Sequence, residues 1–359
     1  MKNILVVDDS ALMRRVLCDI INSDSRFHVS DRATNGEEAL VFLSRKTYDA
    51  VVLDVNMPKM NGLELLRELR NRKIAARVVM ASTDTKEGAK TTIDALSLGA
   101  IDFLHKPDNA SDCKNGIFNT KLLQILEVVC NSKASNFEEE SDKEKLDREK
   151  SSKKLIELAS KSSKAITDKQ IVALASSTGG PKALQEVITR LPAKLKSPVV
   201  IVQHMPAGFT QSLAERLDSL SQITVTEAKE GEILQKGHVY IAKGGMHLNL
   251  DQMGASYKVR YSDEPTREGV KPSANYMYES LAKCNLDRVV CVVLTGMGQD
   301  GTEGIKNLKV AKKIYVIAQD ENSSTVYGMP KAVKNAGLTD VVVPLKDVAQ
   351  EIIMNIGVE

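Results

Sequence analysis

Residues 171–184 read IVALASSTGGPKAL. IVALA is an apolar run of strand length, SSTGG is a tight turn of small residues, and Pro181 sits where the first turn of a helix tolerates it. A continuously apolar strand that turns straight into a helix is the repeating half-unit of a parallel α/β sheet, buried on both faces. In such sheets functional groups collect outside the carboxyl ends of the strands. The turn therefore lifts Ser176, Ser177 or Thr178 above a sheet edge, beside the unpaired N–H groups of a helix start, where an oxyanion could be stabilised. The same donors attract phosphate, but the residues do not fit GxxxxGK[ST], because Lys182 has no Ser or Thr next to it.

Outward from this stretch the alternation continues through PVVIVQHM (198–205), HVYIAKG (238–244), YKVRYS (257–262), VVCVVLTGM (289–297), KKIYVIAQD (312–320) and DVVVPL (340–345). The expectation is a mostly parallel doubly wound α/β unit over 166–359, with an antiparallel stretch near His238 to Ser262. A serine nucleophile needs a base, and there are only five histidines. His204 ends the strand after the serine turn and is the better placed; His247 is the weaker second candidate. Asp300, in the glycine-rich loop GMGQDG after another buried strand, can orient the base. The chain order Ser, His, Asp differs from the Ser, Asp, His order of α/β-hydrolases, which points to a convergent arrangement on a different sheet.

Residues 1–130 show a second α/β pattern: ILVVDD, FHVSDRAT, YDAVVLDV, ARVVMAS and IDFLHKP alternate with helical segments starting at Ala11, Glu37, Leu63, Lys86 and Ile117. Five strand–helix units predict a five-stranded parallel, doubly wound, flavodoxin-like sheet. Its strand ends carry Asp8 and Asp9, Asp54, Ser82, and Lys106 followed by Pro107. Clustered carboxylates call for a hard cation such as Mg²⁺. A cation beside Asp54 would let that carboxylate attack a phosphoryl group, whose oxygens Lys106 and Ser82 would hold. Residues 131–165 differ in character, with Phe137 to Lys154 almost all charged or Ser, and read as a charged linker.

At 359 residues the chain exceeds what one core usually serves, so two domains are expected. The 49 basic and 47 acidic residues nearly cancel, which gives no electrostatic reason to expect nucleic acid or an anionic membrane as partner. The opening MKNILVVDDS lacks the apolar run of a signal peptide, and no later run approaches the ~20 apolar residues of a membrane span. The five cysteines form no CxxC pair. A cytoplasmic protein, monomeric by default and without membrane insertion, is the expectation.

Residues 1–130 resemble the response-regulator receiver family. The resemblance implies phosphorylation of Asp54. It implies Mg²⁺ held by Asp9, Asp54 and the backbone carbonyl of Asn56, with Asp8 acting through water, and a switch formed by Ser82 and Phe103 with Lys106. ASSTGGP, QHMPAGFT, LTGMGQDG and VYGMP, in this order, resemble the chemotaxis receptor-methylesterase family (CheB), whose members carry a receiver in front. That resemblance implies hydrolysis of glutamate methyl esters, and deamidation of selected glutamines, on the cytoplasmic helices of chemoreceptors. It assigns Ser177 as nucleophile, His204 as base and Asp300 as orienting acid, with Thr178, Gly179, Gly180 and Met297 lining the oxyanion region. It also implies a chemotaxis histidine kinase as phosphodonor, and no cofactor in the catalytic domain. The element VKPSANYMY departs from the family pattern at Lys271 and Asn275, where an acid is usual in place of the asparagine.

Overall fold

The structure, a computed structural model, describes residues 1–82, 86–106, 116–132 and 169–359. The chain divides into two compact units, Met1–Glu139 and Glu140–Glu359. From residue 133 to 165, the expected linker lies outside the described residues. Among the described residues no helix is long and apolar enough to cross a membrane.

The first unit runs β1 (Lys2–Val7), α1 (Ala11–Asn22), β2 (Phe27–Ala33), α2 (Gly36–Arg45), β3 (Ala50–Asp54), α3 (Gly62–Asn71), β4 (Val78–Ser82), α4 (Lys86–Leu98), β5 (Asp102–His105) and α5 (Ile117–Asn131). All four strand pairings are parallel, in the order β2-β1-β3-β4-β5. The fully buried runs of β1, β3 and β4 are the apolar runs of the sequence, because strands covered on both faces leave no polar alternation. Helices start where the sequence offers caps: the Ser10 hydroxyl accepts from Met13 N–H, and Asn61 forms a reciprocal capping box with Glu64. Since β1 lies between β2 and β3, the chain reverses direction across the sheet there, and the crevice at the carboxyl ends of β1 and β3 is the topological switch point.

The second unit runs β6 (Gln170–Ser176), α6 (Gly180–Ile188), β7 (Val199–Gln203), α7 (Phe209–Leu220), β8 (Thr224–Glu227), β9 (His238–Ile241), β10 (His247–Met253), β11 (Ser256–Ser262), α8 (Ala274–Leu281), β12 (Arg288–Val293), α9 (Thr302–Ala311), β13 (Ile314–Gln319), α10 (Met329–Asn335), β14 (Val341–Val343) and α11 (Leu345–Ile356). Seven strands form one parallel sheet in the order β14-β13-β12-β6-β7-β9-β8. Among the named strands the antiparallel pairing is that of β10 with β11, a separate two-stranded sheet, and the segment at His238 belongs to the parallel sheet. Strand β8 escapes a reading by pattern because it is an edge strand with one buried apolar residue, Val225. Here β6 is central: the chain leaves it toward β7 and returns on its other side as β12. The switch point therefore lies at the carboxyl ends of β6 and β12.

Candidate functional site

In the first unit, the switch-point crevice collects carboxylates. Asp8 follows β1 and is fully buried, Asp9 beside it is exposed, and Asp54 ends β3, also buried. One oxygen from each lies within 4.8 Å of the others. Lys106, buried at the end of β5, places its Nζ 2.7 Å from Asp8 Oδ2 and 2.7 Å from Asp54 Oδ1. One ammonium pairs with two of the three carboxylates, so the cluster keeps an excess of acidic groups. Burial, with the Asp8 charge, raises the Asp54 pKa despite Lys106. An all-oxygen donor set with unbalanced negative charge fits a small hard divalent cation. Ser82 ends β4, buried, and its main-chain carbonyl accepts from Lys106 N–H at 2.7 Å. Phe103 is buried within β5, Asn56 is exposed two residues beyond Asp54, and His105 is half-buried.

In the second unit three strand ends meet. Ser176 and Gln203 are the last register pair of β6 and β7, so Ser177 and His204 face one another one step beyond the ladder. Main-chain bonds hold both: His204 N–H donates to Ser176 O (3.0 Å) and Ser177 N–H to Thr295 O (3.0 Å), at the end of β12. Gly296 permits this approach, because a Cβ there would lie 2.8 Å from Ser177 Cβ. Of the three turn residues, Ser176 is fully buried with its hydroxyl donated to Gln203 Oε1 (2.6 Å), whereas Ser177 and Thr178 are half-buried.

His204 Nε2 lies 2.8 Å from Asp300 Oδ2. An ionised carboxylate only accepts, so Nε2 carries a proton, and in the neutral imidazole Nδ1 holds the lone pair. That Nδ1 is buried and has no hydrogen-bond partner among the described residues. The bond from Ser177 Oγ to the imidazole is thus not formed in this state; such bonds are often loose before substrate binds.

Asp300 is 2% exposed. Oδ1 accepts from Ser273 Oγ (2.7 Å) and Asn275 N–H (3.1 Å), and Oδ2 also accepts from Ala274 N–H (2.6 Å). The carboxylate therefore caps the N-terminus of α8, where the helix dipole favours an anion. Burial works to raise its pKa, but the bonds from His204, Ser273 and Ala274 prevail and hold it below the usual aspartate value.

The departures from the family pattern find physical roles here. Asn275 is fully buried; its Oδ1 accepts from Gly301 N–H (3.1 Å) and Gly304 N–H (2.6 Å), and its Nδ2 donates to Glu268 Oε1 (3.0 Å). It caps α9 and fixes the loop carrying Asp300 without adding charge beside that carboxylate. Lys271 pairs with Asp263. His247 is fully buried, with Nδ1 accepting from Ser273 N–H (3.1 Å) and Nε2 against Pro265 O (3.2 Å). Both nitrogens are committed and burial lowers its pKa, so it supports the Ser273 turn and has no lone pair left for a serine. Ser273 and Gln203 were not singled out in the sequence; a polar residue ending an otherwise apolar buried strand was the available signal for Gln203. Neither Gly179 N–H nor the N–H of Met297, a residue 40% exposed, has an acceptor among the described residues.

These features define a two-unit α/β protein: a receiver-type sheet with an acidic pocket, followed by a parallel sheet whose switch point joins a serine, a histidine and a buried aspartate. Residues 4–117 match the model of the response regulator receiver domain, and residues 172–352 match that of CheB methylesterase. The chain belongs to the CheB methylesterase family. It is 42% identical over 354 residues to a protein-glutamate methylesterase/protein-glutamine glutaminase of Geobacillus kaustophilus, covering 99% of this chain and 98% of that protein. A Bacillus subtilis protein of the same name is 39% identical over 355 residues, 98% of each chain. Among solved structures, the Thermotoga maritima CheB methylesterase catalytic domain is similar with a TM-score of 0.50 and 40% identity, covering 51% of this chain and 96% of that one.

Proposed function

We propose that the chain is a cytoplasmic hydrolase that removes methyl esters from glutamate side chains of chemoreceptors, and deamidates selected glutamines, under control of phosphorylation at Asp54. The observation that carries the catalytic half is the buried His204–Asp300 bond, which leaves a partnerless Nδ1 on the residue opposite Ser177, one step beyond the last register pair.

Ser177 Oγ attacks the ester carbonyl while His204 Nδ1 takes its proton. The carbonyl oxygen becomes an oxyanion beside the Thr178–Gly180 turn and Met297, with the N–H groups of Gly179 and Met297 as its donors. Collapse breaks the C–OCH₃ bond, and the imidazolium returns the proton to the leaving oxygen, releasing methanol. A water, deprotonated by the same nitrogen, hydrolyses the acyl-serine to glutamate. On a glutamine amide the same sequence releases ammonia. Asp300 stays ionised throughout, fixing the tautomer and stabilising the imidazolium.

In the receiver unit, Asp8, Asp9, Asp54 and the Asn56 carbonyl would hold Mg²⁺, which supplies charge neutralisation for an incoming phosphoryl group. Asp54 accepts the phosphoryl group, Lys106 moves from the Asp54 carboxylate to its oxygens, and Ser82 and Phe103 report the change. A histidine kinase supplies the phosphoryl group. Asp54→Asn is expected to keep basal methanol release from methyl-esterified receptor membranes and to lose the stimulation by a small-molecule phosphodonor with Mg²⁺. A stimulation of about tenfold corresponds to ~1.4 kcal/mol between two states. Stimulation surviving in the variant would remove Asp54 from the mechanism.

Domain boundaries at 1–130 and 166–359, joined by 131–165, complete the reading. A fragment of residues 166–359 should then melt cooperatively and release methanol at a rate that a phosphodonor leaves unchanged. A fragment that fails to fold would place necessary contacts outside those bounds.

A further inference from the structure

Gln203 ends β7, is 1% exposed, and has no part in the chemistry above. Burying a carboxamide is costly unless its donors and acceptor are matched. Here both donated bonds fall on the two residues whose alignment the chemistry requires, and the accepted one comes from the neighbouring Ser176. Oε1 accepts from Ser176 Oγ (2.6 Å), while Nε2 donates to Ser177 O (3.0 Å) and to His204 O (3.2 Å). The β6–β7 register ends at the Ser176 and Gln203 pair, and only His204 N–H to Ser176 O (3.0 Å) continues it in the main chain. The carboxamide thus carries the alignment of the two strands past the point where their ladder stops. The fold keeps room for it: a Cβ at Gly180 would lie 2.0 Å from Gln203 Oε1.

We propose that Gln203, oriented by Ser176, is a positioning residue that clamps the Ser177 and His204 carbonyls on one amide group and so sets the approach of Ser177 Oγ to His204 Nδ1. The inference rests on the roles proposed for Ser177 and His204. It predicts that loosening the clamp slows the chemical step and leaves substrate binding alone, since Gln203 is buried beneath the turn. Misplacement of reacting groups by about 1 Å costs on the order of 100-fold.

The test uses the full chain with Gln203→Met, which keeps length and removes the polar atoms, with Ser176→Ala, and with Ser177→Ala as control. Methanol release gives kcat and KM, the rate of inactivation by a fluorophosphonate reports serine reactivity, and circular dichroism gives the folded fraction. Per folded molecule, Gln203→Met should lower kcat and the inactivation rate together by roughly 10–100-fold, with KM within about twofold. Ser176→Ala should move both in the same direction by less, because the two donors remain. Folded Gln203→Met with wild-type kcat overturns the clamp, as does unchanged kcat in Ser176→Ala if Gln203→Met does not fold. A lowered melting temperature with unchanged kcat and inactivation rate would make Gln203 merely structural. An active Ser177→Ala would instead overturn the nucleophile assignment.

Discussion

Replacing Ser177 by alanine is expected to lower kcat for methanol release by roughly 10⁴–10⁶-fold, because the nucleophile of a serine–histidine–aspartate set works as a unit with its base. The fold should tolerate the change. The contacts that hold residue 177 are made by its main chain: N–H to Thr295 O, and the carbonyl accepting from Gly180 N–H and Gln203 Nε2. Its side chain is half-buried, so the melting temperature should move little, with a stability change of about 0.5 kcal/mol or less. The wild type should also yield a hydroxylamine-sensitive acyl adduct at Ser177 when turnover is quenched. A Ser177→Ala protein with full esterase activity would mean that water or another side chain attacks the ester.

Asp300→Asn should cost kcat on the order of 10⁴-fold and should also destabilise the protein. Each carboxylate oxygen accepts two bonds: Ser273 Oγ and Asn275 N–H on one, Ala274 N–H and His204 Nε2 on the other. Whichever way the amide is turned, its NH₂ faces donors, and leaving buried groups unmatched costs about 1–3 kcal/mol. The amide could also reverse the His204 tautomer, taking the lone pair away from Nδ1. The pH dependence has a definite sign. The folded-state pKa of Asp300 is depressed, so its contribution is complete above the ordinary aspartate value of 3.8 and is lost as pH falls through the lower folded value. The gap in melting temperature between wild type and Asp300→Asn should therefore be widest near neutrality and narrow in acid. A gap that widened in acid, or a kcat within tenfold of wild type, would contradict the assignment.

Much of this was legible because strand ends are a local signal with a global meaning. Once ILVVDD, YDAVVLDV and IDFLHKP read as parallel strands, Asp8, Asp54 and Lys106 had to converge, and the 2.7 Å contacts of Lys106 are that convergence. The same reasoning brought Ser177, His204 and Asp300 to one edge. It failed for the segment at His238, since nothing local distinguishes a strand in a parallel sheet from one in a hairpin; the partner decides. It also left three candidates in the serine turn, because small residues in a turn carry no apolar pattern to orient them.

What the amino-acid sequence determined by itself is the order of strands and helices apart from β8, the acidic and serine-bearing strand ends, and the family, since these depend on apolar periodicity, turn chemistry and motif spacing along the chain. What only tertiary structure decided is which atoms face which. It showed that Ser176 turns its hydroxyl into Gln203, that His247 is committed at both nitrogens, that Asn275 caps α9, and that Nδ1 of His204 is left without a partner among the described residues. Those are hydrogen bonds between residues 26 to 29 positions apart, apart from the 18-residue step from His247 to Pro265 and the unpaired nitrogen itself. Such bonds come from packing separate strands and helices together, and no periodicity along the chain records them.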